Sequence, residues 1–280
     1  MPDDSYMRKS LIEDDLAHVM ECIEGLDLIE SNYDDRPHLA MTVENSIGNR
    51  VLYKKNGNYR NVSINFKNGG GSKVYIGSNF KGSLKVEVLA PNCLLYIGDD
   101  VRLNGVRIRF IGNSSRIFVG NGVTATSNNS WVNGFMYGDR QDLIVGDDCM
   151  FSWGITLRNT DAHPIYETNT WMPINSPKQP LIIEPHCWIG QSVSVLKNVK
   201  IGACSIVALG SVVTKSAPRF SAISGVPAQV RSIEGRLWSR GGEYAMRSAL
   251  KYLHRFAEPG TYSSYVLNTS AAESDELFDD

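Results

Sequence analysis

The 280-residue sequence predicts an all-β solenoid, a parallel β-helix with N- and C-terminal α-helical extensions, and three observations carry that expectation. Ile183 to Pro218 reads in uninterrupted steps of six, with Ile183, Ile189, Val195, Ile201, Val207 and Val213 aliphatic at each step. That period matches neither a helix face nor strand alternation, and so short and strict a repeat is the mark of a solenoid. Each unit supplies one short strand and its corner, so three units close a triangular turn. A looser form lies upstream in Lys73–Gly77, Leu94–Gly98, Arg116–Gly120 and Asp142–Gly146, each a β-rich run ending in glycine. These glycines are 21, 22 and 26 residues apart, which fits one turn of three units plus an insertion at a corner, where solenoids tolerate insertions. Finally, the strict step runs from Val145 through Phe151 and Leu157, falls on His163, and stops there for twenty residues before Ile183.

Taken in order, residues 1–45 place Leu11, Ile12, Leu16, Val19, Met20, Ile23 and Leu26 at helical spacing between acidic residues, which predicts a helical extension capping an otherwise open solenoid end. Residues 46–230 form the β-helix, with a loop at about 163–182. Residues 231–260 hold a second helix, expected from Arg236 to Phe256 and interrupted by Gly241-Gly242. Its basic and apolar residues allow peripheral membrane contact, although docking on the solenoid explains the same pattern. Residues 261–280 are acidic and expected to be disordered.

Composition narrows the function classes. A net charge of −2 argues against a nucleic-acid binder that relies on bulk electrostatics. No apolar run has membrane-spanning length, and Met1–Ser5 lacks the start of a signal peptide, so a cytoplasmic location is expected. Cys22, Cys93, Cys149, Cys187 and Cys204 show no CxxC spacing and read as reduced core thiols, with no metal expected.

The hexapeptides, together with Gly210-Ser211-Val212-Val213-Thr214-Lys215 and Gly225-Val226-Pro227-Ala228, resemble the end of the left-handed β-helix acyltransferases. Phe151–Arg158 followed by Asp161-Ala162-His163-Pro164-Ile165-Tyr166 is similar to the Asp-x-His-x-Ile segment of bacterial polysaccharide and sugar O-acetyltransferases, and Trp188-Ile189-Gly190 also matches. The resemblance covers about residues 70–240. It implies a left-handed β-helix, a homotrimer with active sites between subunits, acetyl-coenzyme A along the groove between prisms, and a carbohydrate acceptor.

Such a site transfers an acyl group from a thioester to a hydroxyl, which needs a base. Neutral imidazole suits that task, and His163, at the start of the long loop, is the expected catalytic base. Asp161 and Glu167 are the local candidates to orient the ring; Asp161 matches the motif, though it reads equally as a turn residue opening the loop. Trp188 is a candidate oxyanion donor, a sugar platform or a packing residue between subunits. Tyr166 and Trp171 are candidate acceptor contacts, and Trp131, Phe135 and Tyr137 either stack on sugars or cover the prism. For the coenzyme, Ala208, Gly210, Ser211 and Lys215 match the family's Gly-Ser-Val-Val-Thr-Lys run, and Pro227 and Ala228 match the region used around the adenine. Gln229 stands where a cation is common after Pro-Ala, so Arg231 is the expected phosphate contact. The competing readings are an N-acetyltransferase acting on a nucleotide-linked amino sugar and a non-catalytic solenoid subunit. A γ-class carbonic anhydrase would need three zinc-binding histidines, and only His163 and His186 lie in the repeats.

Overall fold

The computed structural model describes residues 33–34, 40–135, 141–258 and 260; the helix expected over Leu11–Leu26, Cys22, Tyr137 and the tail from residue 261 lie outside the described residues. The rest is a parallel β-solenoid, β1 (Met41–Glu44) to β20 (Ser221–Gly225), closed by an antiparallel β21 (Ala228–Ser232) and one helix, α1 (Glu243–Phe256).

Why six residues make one side of the prism is visible in the backbone. His186, Ser192, Asn198, Cys204 and Gly210 stand six apart, and each has φ between 56° and 70°. Non-glycine residues visit this left-handed region rarely, so the four corners other than Gly210 are held against an intrinsic preference. Corner amides are held from the coil before: His186 donates to the Asp147 carbonyl at 2.9 Å and Ser192 to that of Trp153 at 2.8 Å. Three residues before each such corner stands the inward aliphatic. Ile183, Ile189, Val195, Ile201 and Val207 are fully buried, and removing a side chain of this size from water contributes about 1.5–3 kcal/mol.

Glycine follows the aliphatic for a different reason. A Cβ on Gly146 would lie 2.5 Å from the backbone nitrogen of Pro185, and on Gly202 it would lie 2.3 Å from that of Arg219. The next coil occupies that space. Glu184 is the exception in the register, a buried residue whose carboxylate accepts from the Ala203 amide at 2.8 Å and pairs with Arg219 and Lys200 at 3.0 Å each.

Three faces result. One is a seven-stranded parallel sheet, in the order β17 (Lys200–Ile201), β14 (Leu181–Ile183), β11 (Asp142–Val145), β8 (Arg116–Val119), β6 (Leu94–Ile97), β4 (Lys73–Ile76) and β2 (Arg50–Tyr53). The other two merge into a fourteen-stranded sheet because β5 (Lys81–Val88) and β7 (Arg102–Phe110) run unbroken through the corner between them. Beyond β7 these faces separate into β9 (Thr124–Ala125), β12 (Met150–Phe151), β15 (Trp188–Ile189), β18 (Ile206–Val207) and β20 on one side, and β10 (Asn129–Asn133), β13 (Thr156–Asn159), β16 (Ser194–Leu196) and β19 (Val212–Val213) on the other. The corners are named here by what they carry. The loop corner joins β13 (Thr156–Asn159) to β14 (Leu181–Ile183), the helix corner joins β14 to β15 (Trp188–Ile189), and the open corner joins β18 (Ile206–Val207) to β19 (Val212–Val213).

Helix α1 starts at Glu243, not at the expected Arg236, because Gly241 and Gly242 take φ of 92° and 79° and halt the helical path. Ala249, Tyr252, Leu253 and Phe256 are buried, the last three against Ala203, Cys204 and Phe220 at the helix corner, while Arg247, Lys251 and Arg255 face solvent. The apolar face that membrane contact would require is therefore occupied by the solenoid. Trp131 and Phe135 are both buried, so neither offers a sugar platform, and Trp131 packs in the solenoid core. The four described cysteines are buried and unpaired with one another.

Candidate active site

The loop that interrupts the repeat leaves β13 at the loop corner and is built as a small hairpin. Tyr166 and Pro173 form an antiparallel bridge, Ile174 donates to the Ile165 carbonyl at 2.8 Å, and Glu167 donates to that of Met172 at 3.0 Å. The tip presents Trp171 (73% exposed) and Met172 (63%), with Tyr166 tilted against Trp171 at a centroid distance of 6.4 Å. Five large apolar groups on one loop, Ile165 and Ile174 included, form an exposed wall above the corner.

At the base of that wall, Asn175 ties the start of the loop to its end. Its Nδ2 donates to the Asp161 carboxylate and to the His163 carbonyl, both at 2.9 Å, while its Oδ1 accepts from the Ile165 amide at 2.7 Å. Lys197, on the same corner one coil later, completes the clamp through an ion pair with Asp161 and a 2.6 Å bond to the Asn175 carbonyl. Burial raises the Asp161 pKa, but the Lys197 ammonium and the Asn175 amide outweigh it and hold the carboxyl below the usual range. The backbone of His163 is thus fixed while its ring stands exposed, with neither nitrogen hydrogen-bonded among the described residues. Asp161 therefore acts on the histidine through Asn175 and the main chain, not through the imidazole. Asn175 and Lys197 carry no motif signal, since the loop joins residues that local spacing leaves far apart.

His186 is a structural residue. Its Nδ1 lies 2.8 Å from Asp148 Oδ2 and its Nε2 lies 3.0 Å from the Trp238 carbonyl, with the ring stacked between Trp238 and Tyr252 at 4.2 and 4.8 Å. Trp188 points outward, as expected of a large aromatic beside a narrow prism, and tilts against Trp238 at 6.2 Å. Along the chain it lies on the far side of β14 from the loop. One chain thus places His163 and Asp161 at one corner and Trp188 at another.

No family model matches the chain, but known proteins resemble it. It is 32% identical over 136 residues to a polysialic acid O-acetyltransferase of Neisseria meningitidis, covering 46% of this chain and 58% of the relative. It is 32% identical over 104 residues to a polysialic acid O-acetyltransferase of Escherichia coli O1:K1 / APEC, covering 36% and 33%. The chain thus spans only about a third to three fifths of the length of these relatives. Among solved structures, the polysialic acid O-acetyltransferase OatWY matches 78% of this chain and 96% of its own, with a TM-score of 0.55 and 25% identity. In sequence and fold this chain resembles these left-handed β-helix O-acetyltransferases.

Within this solenoid, the residues expected at the coenzyme separate into groups. Ala208, Gly210, Ser211, Pro227 and Ala228 gather at the open corner, beside the exposed side chains of Leu209 (70%) and Val226 (72%). Gly210, at φ 70°, has no atom within 4 Å of a built Cβ, so its surface is open to a ligand. Ser211 is fully buried, and its hydroxyl accepts from the Gly225 amide at 3.2 Å, so it braces the final hairpin. The Ala208 amide is taken by the Ile223 carbonyl at 2.8 Å. Lys215 is exposed at the loop corner, and Arg231 is exposed on β21 opposite Ala222, toward the helix corner. The two cations thus stand apart within one chain.

Proposed function

We propose that this protein transfers acetyl from acetyl-coenzyme A directly to a sugar hydroxyl of a surface polysaccharide or its precursor, with His163 as the general base. The observation that carries the reading is the exposed imidazole of His163 on a backbone clamped by Asp161, Asn175 and Lys197. A clamp of that kind fits a residue whose position matters while its ring stays available. Two relatives named for O-acetylation of polysialic acid support the reaction class.

In the reaction, His163 accepts the hydroxyl proton as the oxygen attacks the thioester carbonyl carbon, and the C–S bond breaks as the tetrahedral intermediate collapses. The imidazolium then returns the proton to the departing thiolate. A base of this kind contributes typically 10²–10⁴ in rate. Acetyl-coenzyme A supplies the activated acetyl. The open surface at Gly210 and the exposed Leu209 and Val226 suit its pantetheine arm, and Lys215 and Arg231 suit its phosphates. Because Trp188 and His163 occupy different corners, the indole reaches the oxyanion only if the helix corner of one chain faces the loop of a neighbour. The site then lies between subunits of a homotrimer.

The test is release of free coenzyme A thiol with and without acceptor, for wild type and His163→Ala. Acceptor-dependent release that falls at least 100-fold in the variant, with coenzyme binding kept, supports the proposal. Equal release in both proteins contradicts it. Characterising the product as ester or amide separates O- from N-acetylation.

A further inference from the structure

Trp153 is a large apolar side chain to which the chemistry described so far gives no task. It is 54% exposed, and among the described residues its indole makes no hydrogen bond and no ring contact. An indole left in water at a tight corner, where a small polar residue would serve, breaks the inside-outside pattern that the rest of the coil obeys.

Its place in the fold is fixed by the backbone. Trp153 and Gly154 turn the chain from β12 to β13, as Gln191 and Ser192 turn it from β15 to β16 and Leu209 and Gly210 from β18 to β19. These turns stack on one edge, because the Ser192 amide donates to the Trp153 carbonyl and the Gly210 amide to the Gln191 carbonyl, both at 2.8 Å. Trp153, Gln191 and Leu209 are thus successive steps down the open corner, all three exposed. At ordinary strand spacing Trp153 stands about 10 Å below Leu209. The step beneath is small: the Gly154 amide donates to the carbonyl of Ser127 at 3.1 Å. The indole is therefore the bulky group at the lower end of the surface assigned to the pantetheine arm.

Trp153 also shares a coil with His163. It precedes β13, and the loop that carries His163 follows β13. In a ring of prisms standing side by side, rotation about an axis parallel to them moves no group along that axis, so the neighbour's His163 stands at this level too. A base must lie within hydrogen-bond reach of the attacking hydroxyl, which in turn approaches the carbonyl carbon closely. The thioester is then held near this coil. A donor that descends from Gly210 past Leu209 points its acyl group onward, toward Trp153.

We propose that Trp153 determines acyl-donor specificity: its ring closes the lower end of the donor groove against the methyl of the acetyl group and excludes longer acyl chains. The inference rests on the proposed acetyl transfer and deepens it, dividing the site into a donor end at Trp153 and an acceptor wall at Tyr166 and Trp171. An added methylene in a pocket of fixed size shifts discrimination by about 10–200-fold.

The test has two readouts on the full chain. Calorimetry with acetyl-, propionyl- and butyryl-coenzyme A, without acceptor, reads the groove independently of turnover. Wild type is expected to bind acetyl-coenzyme A about tenfold or more tighter than butyryl-coenzyme A, and Trp153→Ala to bind the two about equally, with Trp153→Phe in between. Thiol release with an acceptor should show the same change as a fall of about tenfold or more in the acetyl-to-butyryl ratio of kcat/KM, through a gain with butyryl. Thermal unfolding checks that both variants fold, and if the alanine variant does not, the phenylalanine variant with propionyl-coenzyme A decides. Equal binding of acetyl- and butyryl-coenzyme A by wild type, or a ratio unchanged in the variants, would overturn the assignment. A ratio unchanged together with loss of chain association in light scattering would make Trp153 a packing residue instead. Selective binding without acceptor-dependent release would sink the proposed transfer and keep the groove, whereas release with no selection among thioesters would do the reverse.

Discussion

A histidine is a useful base only if its position is fixed and its ring is free. His163 meets both conditions through its neighbours: Asn175 holds its carbonyl and Asp161, and Lys197 holds Asp161 from the next coil. This predicts that Asn175→Ala lowers kcat by roughly 10-fold or more while leaving coenzyme binding intact, because loosening a catalytic loop by even 1 Å is costly. Single-turnover rates beside coenzyme titrations would show it, and a kcat equal to wild type would contradict it. The clamp also has a pH signature. A carboxyl held below its ordinary pKa contributes stability above the unfolded pKa and loses it as pH falls through the folded one. The loop should therefore stay ordered at pH 5 and loosen only below the ordinary carboxylate pKa of about 3.9, visible as a change in Trp171 fluorescence. In Lys197→Met that change should begin at higher pH.

At the scale of elements, the coils were legible because their constraint is local. An aliphatic residue must point inward, glycine must follow where the next coil's backbone passes, and a tight left-handed corner must come next, all within six residues. Ile201→Ala should destabilise the domain by about 2–5 kcal/mol, measured in denaturant, since the site cannot collapse around the cavity. Gly202→Ala, whose Cβ would sit 2.3 Å from the backbone of Arg219, should cost about 1–3 kcal/mol by overpacking. Less legible were contacts made between distant segments. The helix register was readable, but its start was set by two glycine conformations, and the His186–Asp148–Arg240 cluster that seats Trp238 joins residues up to 92 apart. Trp131 read as a surface platform because aromatic composition alone does not say which way a strand residue faces; the pleat put it inside, and Phe135, two residues past that strand, is buried as well.

For the molecule as a whole, the central question is how corners combine. A single chain separates His163 from Trp188 by β14, and Lys215 from Arg231 by the prism itself, whereas chains packed corner to face would reunite them. Light scattering is expected to give three chain masses in solution. Co-expression of His163→Ala with Trp188→Ala should restore about a quarter of wild-type sites, because a closed ring with random assembly pairs an intact loop with an intact helix corner that often. No recovery would place each site within one chain. The sequence carried the solenoid and the candidate base, and it left the assembly unread because the faces that would meet are ordinary outward strand positions.

The most direct test of the account remains coenzyme A thiol release by wild type and His163→Ala against acidic oligosaccharides, neutral oligosaccharides and amino sugars. The account predicts acceptor-dependent release, ester product, and loss of at least 100-fold in the variant with coenzyme still bound. Release that persists in His163→Ala, or a protein that neither binds acetyl-coenzyme A nor releases thiol with any acceptor, would contradict it.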